Sequence, residues 1–270
     1  ASSDAVTLAS DGTCTVKATN NLSNRNLIIN GAMNVAQRAT SYTGVTSSTT
    51  TYPVDRFLFG TSGSSAWTVA QSTAGSVLAN TGFAQAIKVD CTTADTSLSS
   101  NQEIFITTRI EAQNLQHLRY GQSAAKSLTL SFWTRSNKTG DYGIWFYAAD
   151  GPRQYATTYT ISSADTWEKK VITIPGDTSG TINNDNGPGF EVRFYLAASP
   201  THSGTPSSTW TSTIGNRTTT LNLADSTSNE WYLTGLQLEV GDVATEFEHR
   251  SSGDELLRCM RYYQELQVCA

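Results

Sequence analysis

Short segments in which apolar and polar side chains alternate recur along this chain, and this period of two constrains its fold more than any other feature. The clearest examples are residues 128–133, 144–148, 190–196 and 236–240. Successive side chains of a β-strand point to opposite faces, so each segment indicates a strand with one face toward a core. The phase of the alternation predicts burial of Leu130, Phe146, Phe194 and Leu238.

The fold class follows from what separates these segments. No helical period of ten residues interrupts positions 24–245, which excludes alternating strand–helix units. Connections rich in Ser, Thr, Gly and Asn lie between the segments, and we expect long loops at 39–51, 176–189 and 199–219. The sequence therefore predicts an all-β protein, a jelly-roll-like antiparallel β-sandwich over residues 24–250.

The two ends differ from this central part. Residues 1–23 are polar, with one alternating segment at Val6–Leu8, and they predict an extended connector arm with a short strand at most. The polar arm and a start without Met favour a chain that is part of a longer protein. Residues 251–270 predict a short C-terminal amphipathic helix that leads into a further segment or docks on a neighbour.

The start of this helix has a recognisable pattern. Ser252 and Glu255 match the S-x-x-E capping box, so we expect the helix to begin within two residues of Ser252. Three residues at helical spacing are expected to dock it: Leu256, Met260 and Tyr263.

Composition excludes several function classes. Only 15% of the residues are charged and the net charge is −5, which argues against a nucleic-acid partner and against attraction to anionic membranes. No apolar run approaches the roughly 20 residues that span a bilayer, so we expect no membrane insertion. The four cysteines are widely spaced, contain no C-x-x-C pair and are interpreted as free thiols.

Motifs for catalysis and cofactors are also missing. The sequence contains no H-E-x-x-H, no G-x-S-x-G and no phosphate loop. A glycosidase would need two nearby carboxylates, and the available ones cannot be paired from sequence: Asp141, Asp150, Asp165 and Glu191. We expect a protein that is not an enzyme and has no cofactor. Residues 183–187, NNDNG, offer oxygens for Ca²⁺, although turn formation is the better interpretation.

Aromatic side chains on the non-core face of the strands are the main functional signal. If Phe146 and Phe194 point inward, their neighbours in the strand point outward. The outward set predicted in this way is Trp133, Trp145, Tyr147, Arg193 and Tyr195. An aromatic plane beside polar groups suits the apolar C–H face and hydroxyl rim of a sugar, which makes these residues candidates for glycan binding. The alternative is that loop 199–219, the N-terminal arm or another subunit covers the rings.

Four stretches resemble the receptor-binding end of a bacteriophage tail fibre. They are NRNLIINGAMNVAQR at 24–38, YPVDRF at 52–57, LTLSFWTRS…GDYGIWF at 128–146 and EWYLTGLQLEVGDVATEFEHR…CMRYY at 230–263. In strand pattern the domain also resembles carbohydrate-binding modules. In this family comparison residues 1–23 are similar to the linker to a fibre shaft, and Asp55 and Arg56 form a structural ion pair.

The resemblance implies a virion protein of the tail or an appendage, assembled in the host cytoplasm. It would attach to bacterial surface polysaccharide or lipopolysaccharide by non-catalytic binding, as a homotrimer in contact with other virion proteins. Two alternatives remain open. One is a purely structural virion component, such as a capsid decoration, neck or baseplate protein. The other, less favoured, is a polysaccharide depolymerase.

Overall fold

The computed structural model describes residues 24–265 apart from 48, 74–80, 203, 213–218 and 220, together with 6–8, 10, 12 and 14–16. Within this part of the chain two antiparallel six-stranded sheets pack face to face, which confirms the predicted jelly-roll-like sandwich. Most consecutive strands of the described sandwich alternate between the two sheets.

The strands are numbered along the chain. A separate hairpin pairs β1 (Val6–Leu8) with β2 (Cys14–Val16), and the remainder of the expected arm lies largely outside the described residues. Sheet I has the order β11 (Arg153–Ile161), β10 (Gly140–Ala148), β13 (Pro188–Ala198), β8 (Glu103–Glu111), β5 (Phe57–Thr61), β4 (Thr51–Val54). Sheet II has the order β12 (Glu168–Ile174), β9 (Leu128–Ser136), β14 (Glu230–Val240), β7 (Gln85–Thr93), β6 (Ala66–Thr73), β3 (Ser41–Val45).

The core lies between the sheets and is strongly aromatic. Phe132 of sheet II meets Phe194 of sheet I edge to face, with ring centroids 5.1 Å apart. Burying one such side chain contributes roughly 1.5–3 kcal/mol. The four residues predicted to be buried are at most 1% exposed, which confirms the phase of their strands: Leu130, Phe146, Phe194 and Leu238.

One loop expectation is wrong. Positions 41–45, placed in the expected loop 39–51, form β3 at the edge of sheet II. Within β3 only Val45 is buried, because an edge strand over polar surface has little contact with the core. The alternation that marks a half-buried strand is therefore absent there. Further along, residues Ala112–Leu118 form a 3₁₀ helix after β8.

The C-terminal helix α1 (Ser252–Met260) begins where the sequence predicted, but its details differ. The N-cap is Ser251, whose Oγ accepts the N–H of Asp254 at 3.2 Å. Glu255 is not part of a capping box; its carboxylate accepts the backbone N–H of Asn30 at 2.6 Å. Among the described residues, no helix is long and apolar enough to cross a membrane.

The docking face of α1 also differs from the prediction. Glu255 and Cys259, four residues apart, are the buried residues of the helix, and Leu256 is 39% exposed. Glu255 pairs with Arg250 at 3.5 Å and binds the backbone of Asn30, so polar contacts hold this face of the helix. Tyr263 lies beyond the helix and stacks on Arg38, whose guanidinium carbon is 3.7 Å from the ring centroid.

Candidate functional site

The segment after β14 folds back over the outer face of sheet II. Glu239, on that face, accepts the backbone N–H of Thr245 at 2.8 Å and its hydroxyl at 2.7 Å. Gln237 is fully buried and accepts the N–H of Glu248 at 2.8 Å. The Glu248 carboxylate in turn accepts the N–H of Asn26 at 2.7 Å. Hydrogen bonds within the Q-L-E-V-G…T-x-F-E-H-R stretch and to Asn26 thus hold residues 243–250 in place.

These hydrogen bonds place an aromatic cluster beside sheet II. Phe247 meets Phe83 edge to face at 4.8 Å between centroids, and His249 lies 5.5 Å from Phe83. Together with Trp133 these rings border an open groove of about 410 Å³. We call it the Trp133 groove; its other lining residues are Thr81, Gly82, Ser131, Lys169, Gly235, Thr245 and Glu246.

A bulge in β14 brings the backbone close to these rings. The pairing of β14 with β9 is irregular between Thr234 and Gln237, and Gly235 within the bulge has φ +59°. A Cβ at this position would lie 2.5 Å from Cζ of Phe83 and 3.2 Å from Cδ1 of Trp133. Glycine is therefore required at position 235 for two reasons, the left-handed backbone and the close approach of the Phe83 ring.

Polar groups complete the groove. Lys169, Glu246 and His249 are exposed, and Trp133, Phe83 and Phe247 are half-buried. The groove therefore combines ring surfaces with charged and hydroxyl groups and is accessible from solvent. Its volume lies in the range of about 300–1,000 Å³ that is typical of small-molecule sites.

The outer face of sheet I holds the other four residues that the sequence selected. We call it the Trp145 face; it comprises Phe105, Trp145, Tyr147, Arg193 and Tyr195. The strand register places Trp145 opposite Arg193, and Tyr195 opposite Phe105. Trp145 stacks on Tyr147 with ring centroids 4.6 Å apart and planes 10° apart. The expected shared face for Trp145, Tyr147 and Tyr195 is therefore present.

The expectation that this face is open is wrong. Trp145 is 6% exposed and Tyr195 is fully buried, because the side chains cover one another. The Arg193 guanidinium carbon lies 4.0 Å from the Phe105 centroid and 5.0 Å from that of Trp145. The Trp145 indole N–H donates to Gln154 at 2.7 Å, which satisfies its polar edge.

Ion pairs close the same face. Arg193 pairs with Glu191 at 2.6 Å and with Glu103 at 3.2 Å, and Arg109 pairs with Glu191 at 2.8 Å. Burial alone would raise the pKa of Glu191, but Arg193 and Arg109 together hold it below its usual value. The charges of the Trp145 face are thus largely engaged within the protein.

Trp133 does not join the other four predicted residues. It lies on β9 in sheet II, whereas Trp145, Tyr147, Arg193 and Tyr195 lie on β10 and β13 in sheet I. Alternation distinguishes inward from outward positions but not one sheet from the other. Sequence reasoning missed Phe83 and Phe247, which reach Trp133 only through the tertiary fold; the T-x-F-E-H-R stretch was the available signal for Phe247.

The carboxylates considered for catalysis have separate partners. Asp165 pairs with Arg135 and Glu191 with Arg193, whereas Asp141 accepts from Thr160 and Asp150 from Asn183. In the NNDNG segment Asp185 accepts the N–H of Gly187 at 2.9 Å, as expected for a turn. No group of three or more His, Cys, Asp or Glu suited to a metal ion occurs in the described ranges.

The structure also tests two other expectations, one about an ion pair and one about the cysteines. Asp55 does not pair with Arg56 but with Arg38, at 3.3 Å, because the backbone of Arg56 is left-handed with φ +74°. The side chain of Arg56 instead lies over Tyr262. Cys91 and Cys259 are buried free thiols, in keeping with the prediction, and burial raises the pKa of Cys91 to about 11.

No protein-family model and no curated protein matches the chain. Among solved structures it is similar to the enzymatically active domain of tailspike protein 4 from bacteriophage CBA120, with 10% identity and a TM-score of 0.39 over 68% of this chain and 19% of the tailspike chain. A putative sugar-binding protein from Bacteroides thetaiotaomicron has 13% identity and a TM-score of 0.41, covering 80% of this chain and 99% of that one.

A third similar structure is the family 11 carbohydrate-binding module from Clostridium thermocellum in complex with a mixed-linked β-1,3-1,4 tetrasaccharide. It has 14% identity and a TM-score of 0.35, covering 77% of this chain and 99% of the module.

Proposed function

We propose that this chain is a non-catalytic glycan-binding domain and that the Trp133 groove is its binding site. The observation that carries the proposal is an open groove of about 410 Å³ in which half-buried aromatic rings stand beside exposed polar side chains. The rings offer surface for the apolar C–H face of a sugar. Lys169, Glu246 and Thr245 offer partners for its hydroxyl groups.

The groove is favoured over the Trp145 face for a physical reason. On the Trp145 face the rings already pack on one another, and Arg193 is held by two carboxylates. A sugar docking there would have to displace contacts that are already satisfied. In the groove, by contrast, ring surface is open to solvent, so binding removes apolar area from water without first breaking ion pairs.

At the level of the organism we propose attachment of a bacteriophage to its host. The chain would form the distal part of a tail fibre, bind bacterial surface polysaccharide or lipopolysaccharide, and assemble as a homotrimer with other virion proteins. Support comes from the four sequence stretches that resemble tail-fibre tips. The affinity of a single site of this kind is low, and several copies on one particle bind tightly together through avidity.

The test compares one ring on each face of the sandwich. The full chain and its Trp133→Ala and Tyr147→Ala variants are applied to an array of bacterial surface glycans, and thermal melting is recorded in parallel. Loss of the Trp133 ring should weaken binding by roughly 0.5–1.5 kcal/mol beyond the loss of buried area, or about 2- to 13-fold. Tyr147→Ala, which removes a half-buried ring on the other face, should bind normally.

Each outcome of the test bears on the proposal. Binding lost only in Tyr147→Ala would transfer the site to the Trp145 face. The absence of any glycan ligand for the wild-type chain, with normal melting, would contradict glycan binding. A purely structural role would then be the preferred function. The close packing of the Trp145 face already makes this role the second candidate. Release of new reducing ends from a bound polysaccharide would instead show a depolymerase.

A further inference from the structure

A cleft rich in Arg and Tyr lies on sheet I beside the chain that follows α1. Two adjoining pockets of about 230 Å³ and 160 Å³ share Tyr52 and Arg56 as lining residues. We call the pair the Arg56 cleft. Its remaining lining residues are Arg38, Asp55, Leu58, Thr107, Thr108, Arg109, Cys259, Tyr262 and Tyr263. Three arginines and one carboxylate line the cleft, so its lining is positive in a protein of net charge −5.

Arg56 differs from the other two arginines because it has no carboxylate partner. Arg38 pairs with Asp55 at 3.3 Å, and Arg109 pairs with Glu191 at 2.8 Å. Among the described residues no carboxylate lies within ion-pair distance of Arg56. Its Nη2 donates to the backbone oxygen of Arg109, and its buried Nε has no hydrogen-bond partner. A half-buried guanidinium with an unpartnered Nε–H carries a desolvation cost that a bound anion would offset.

The backbone of Arg56 is also strained. Its φ of +74° lies in the left-handed region, where a long L side chain is disfavoured. Such strain costs of order 1–3 kcal/mol and is typically retained at functional sites. The conformation directs the guanidinium over the ring of Tyr262, at 3.4 Å from carbon to centroid. The burial that this entails lowers the pKa of Arg56 below its usual value.

Aromatic rings form the sides of the cleft. The Arg38 guanidinium carbon lies 4.6 Å from the Tyr52 centroid and 3.7 Å from that of Tyr263. The cleft therefore presents guanidinium groups held in place by rings, with Thr107 and Thr108 of β8 lining its other end. A guanidinium binds a carboxylate or phosphate through two parallel hydrogen bonds, and tyrosine hydroxyl groups can hydrogen-bond the sugar that bears the anion.

From this arrangement we propose that the Arg56 cleft binds the anionic group of an acidic saccharide, either a sugar carboxylate or a sugar phosphate. Arg56 is the primary ligand, and Arg38 and Arg109, each paired with a carboxylate, lie on either side of it. The site is separate from the Trp133 groove, because the cleft belongs to sheet I and the groove to sheet II. It does not depend on whether the groove binds glycan.

The test uses glucuronate, inorganic phosphate and neutral glucose as probes of the full chain at low salt. Titrations are followed by the ¹⁵N chemical shifts of the arginine Nε–H groups. The Arg56 resonance should shift saturably with glucuronate, with phosphate or with both, and should not respond to glucose. A response to glucuronate alone would assign uronic-type sugars to the cleft, and a response to phosphate alone would assign phosphorylated ones.

Variants provide the second measurement. Arg56→Gln should weaken binding of the active anion at least 10-fold, and Arg56→Lys should weaken it less because the charge remains but the two-pronged geometry is lost. Arg119→Gln removes an exposed guanidinium from another part of the surface and should bind as wild type. The proposal is overturned if neither anion shifts the Arg56 resonance, or if a folded Arg56→Gln binds as tightly as wild type. The wild-type titration decides the matter even if Arg56→Gln fails to fold.

Discussion

At the scale of single residues, one glycine shows how the groove depends on backbone geometry. Gly235 has φ +59° and lies against the rings of Phe83 and Trp133. Gly253, in α1, has open space where a Cβ would be placed. The same change, Gly to Ala, should therefore have opposite effects at the two positions.

Gly235→Ala should lower the free energy of unfolding by at least about 1–2 kcal/mol, because a left-handed alanine is strained and its Cβ must displace Phe83. Gly253→Ala should raise it by about 0.4–1 kcal/mol, because alanine reduces the entropy of the unfolded chain at no steric cost. Urea denaturation of both variants measures the difference. Equal effects of the two changes would show that the bulge tolerates a side chain.

At the scale of elements, α1 is joined to the sandwich by polar and cationic contacts more than by apolar ones. Glu255 binds the backbone of Asn30, and Arg261 forms two hydrogen bonds of 3.0 Å with Glu111. Leu256 and Leu257 point toward solvent. The stability of this helix therefore rests on its cap and on these partners.

The cap gives a matched pair of adjacent serines. Ser251→Ala should destabilise the protein by about 1 kcal/mol, because it removes the oxygen that accepts the Asp254 N–H. Ser252→Ala should change little, since alanine is the better helix former at the first helical position. Circular dichroism and thermal melting of the two variants check this order. A larger loss of stability in Ser252→Ala than in Ser251→Ala would show that Ser252 caps the helix.

At the scale of the whole molecule, the two sheets expose two faces with different properties. The Trp145 face is closed by stacking and ion pairs, and the Trp133 groove is open. In a multivalent particle a small loss at each groove is multiplied over the copies that bind together. If the chain has the proposed attachment role, Trp133→Ala should therefore reduce adsorption to host cells by a larger factor than it reduces the affinity of one chain. Adsorption of particles and binding of single chains are measured side by side. Equal factors would contradict a multivalent attachment role.

The period-two pattern by itself determined the β-sandwich and the inward positions of Leu130, Phe146, Phe194 and Leu238, because strand alternation is a local property. The polar residues near Ser252 likewise located the start of α1 to within the expected two residues, although the cap is Ser251 and Glu255 binds Asn30. Tertiary structure alone decided which outward side chains meet. It placed Trp133 and Trp145 on opposite sides of the sandwich, buried Tyr195 beneath its neighbours, turned Leu256 to solvent, and brought Phe83 and Phe247 to Trp133. Those outcomes depend on sheet membership, on the Gly235 bulge and on ion pairs between residues far apart in sequence, none of which leaves a periodic trace in the chain.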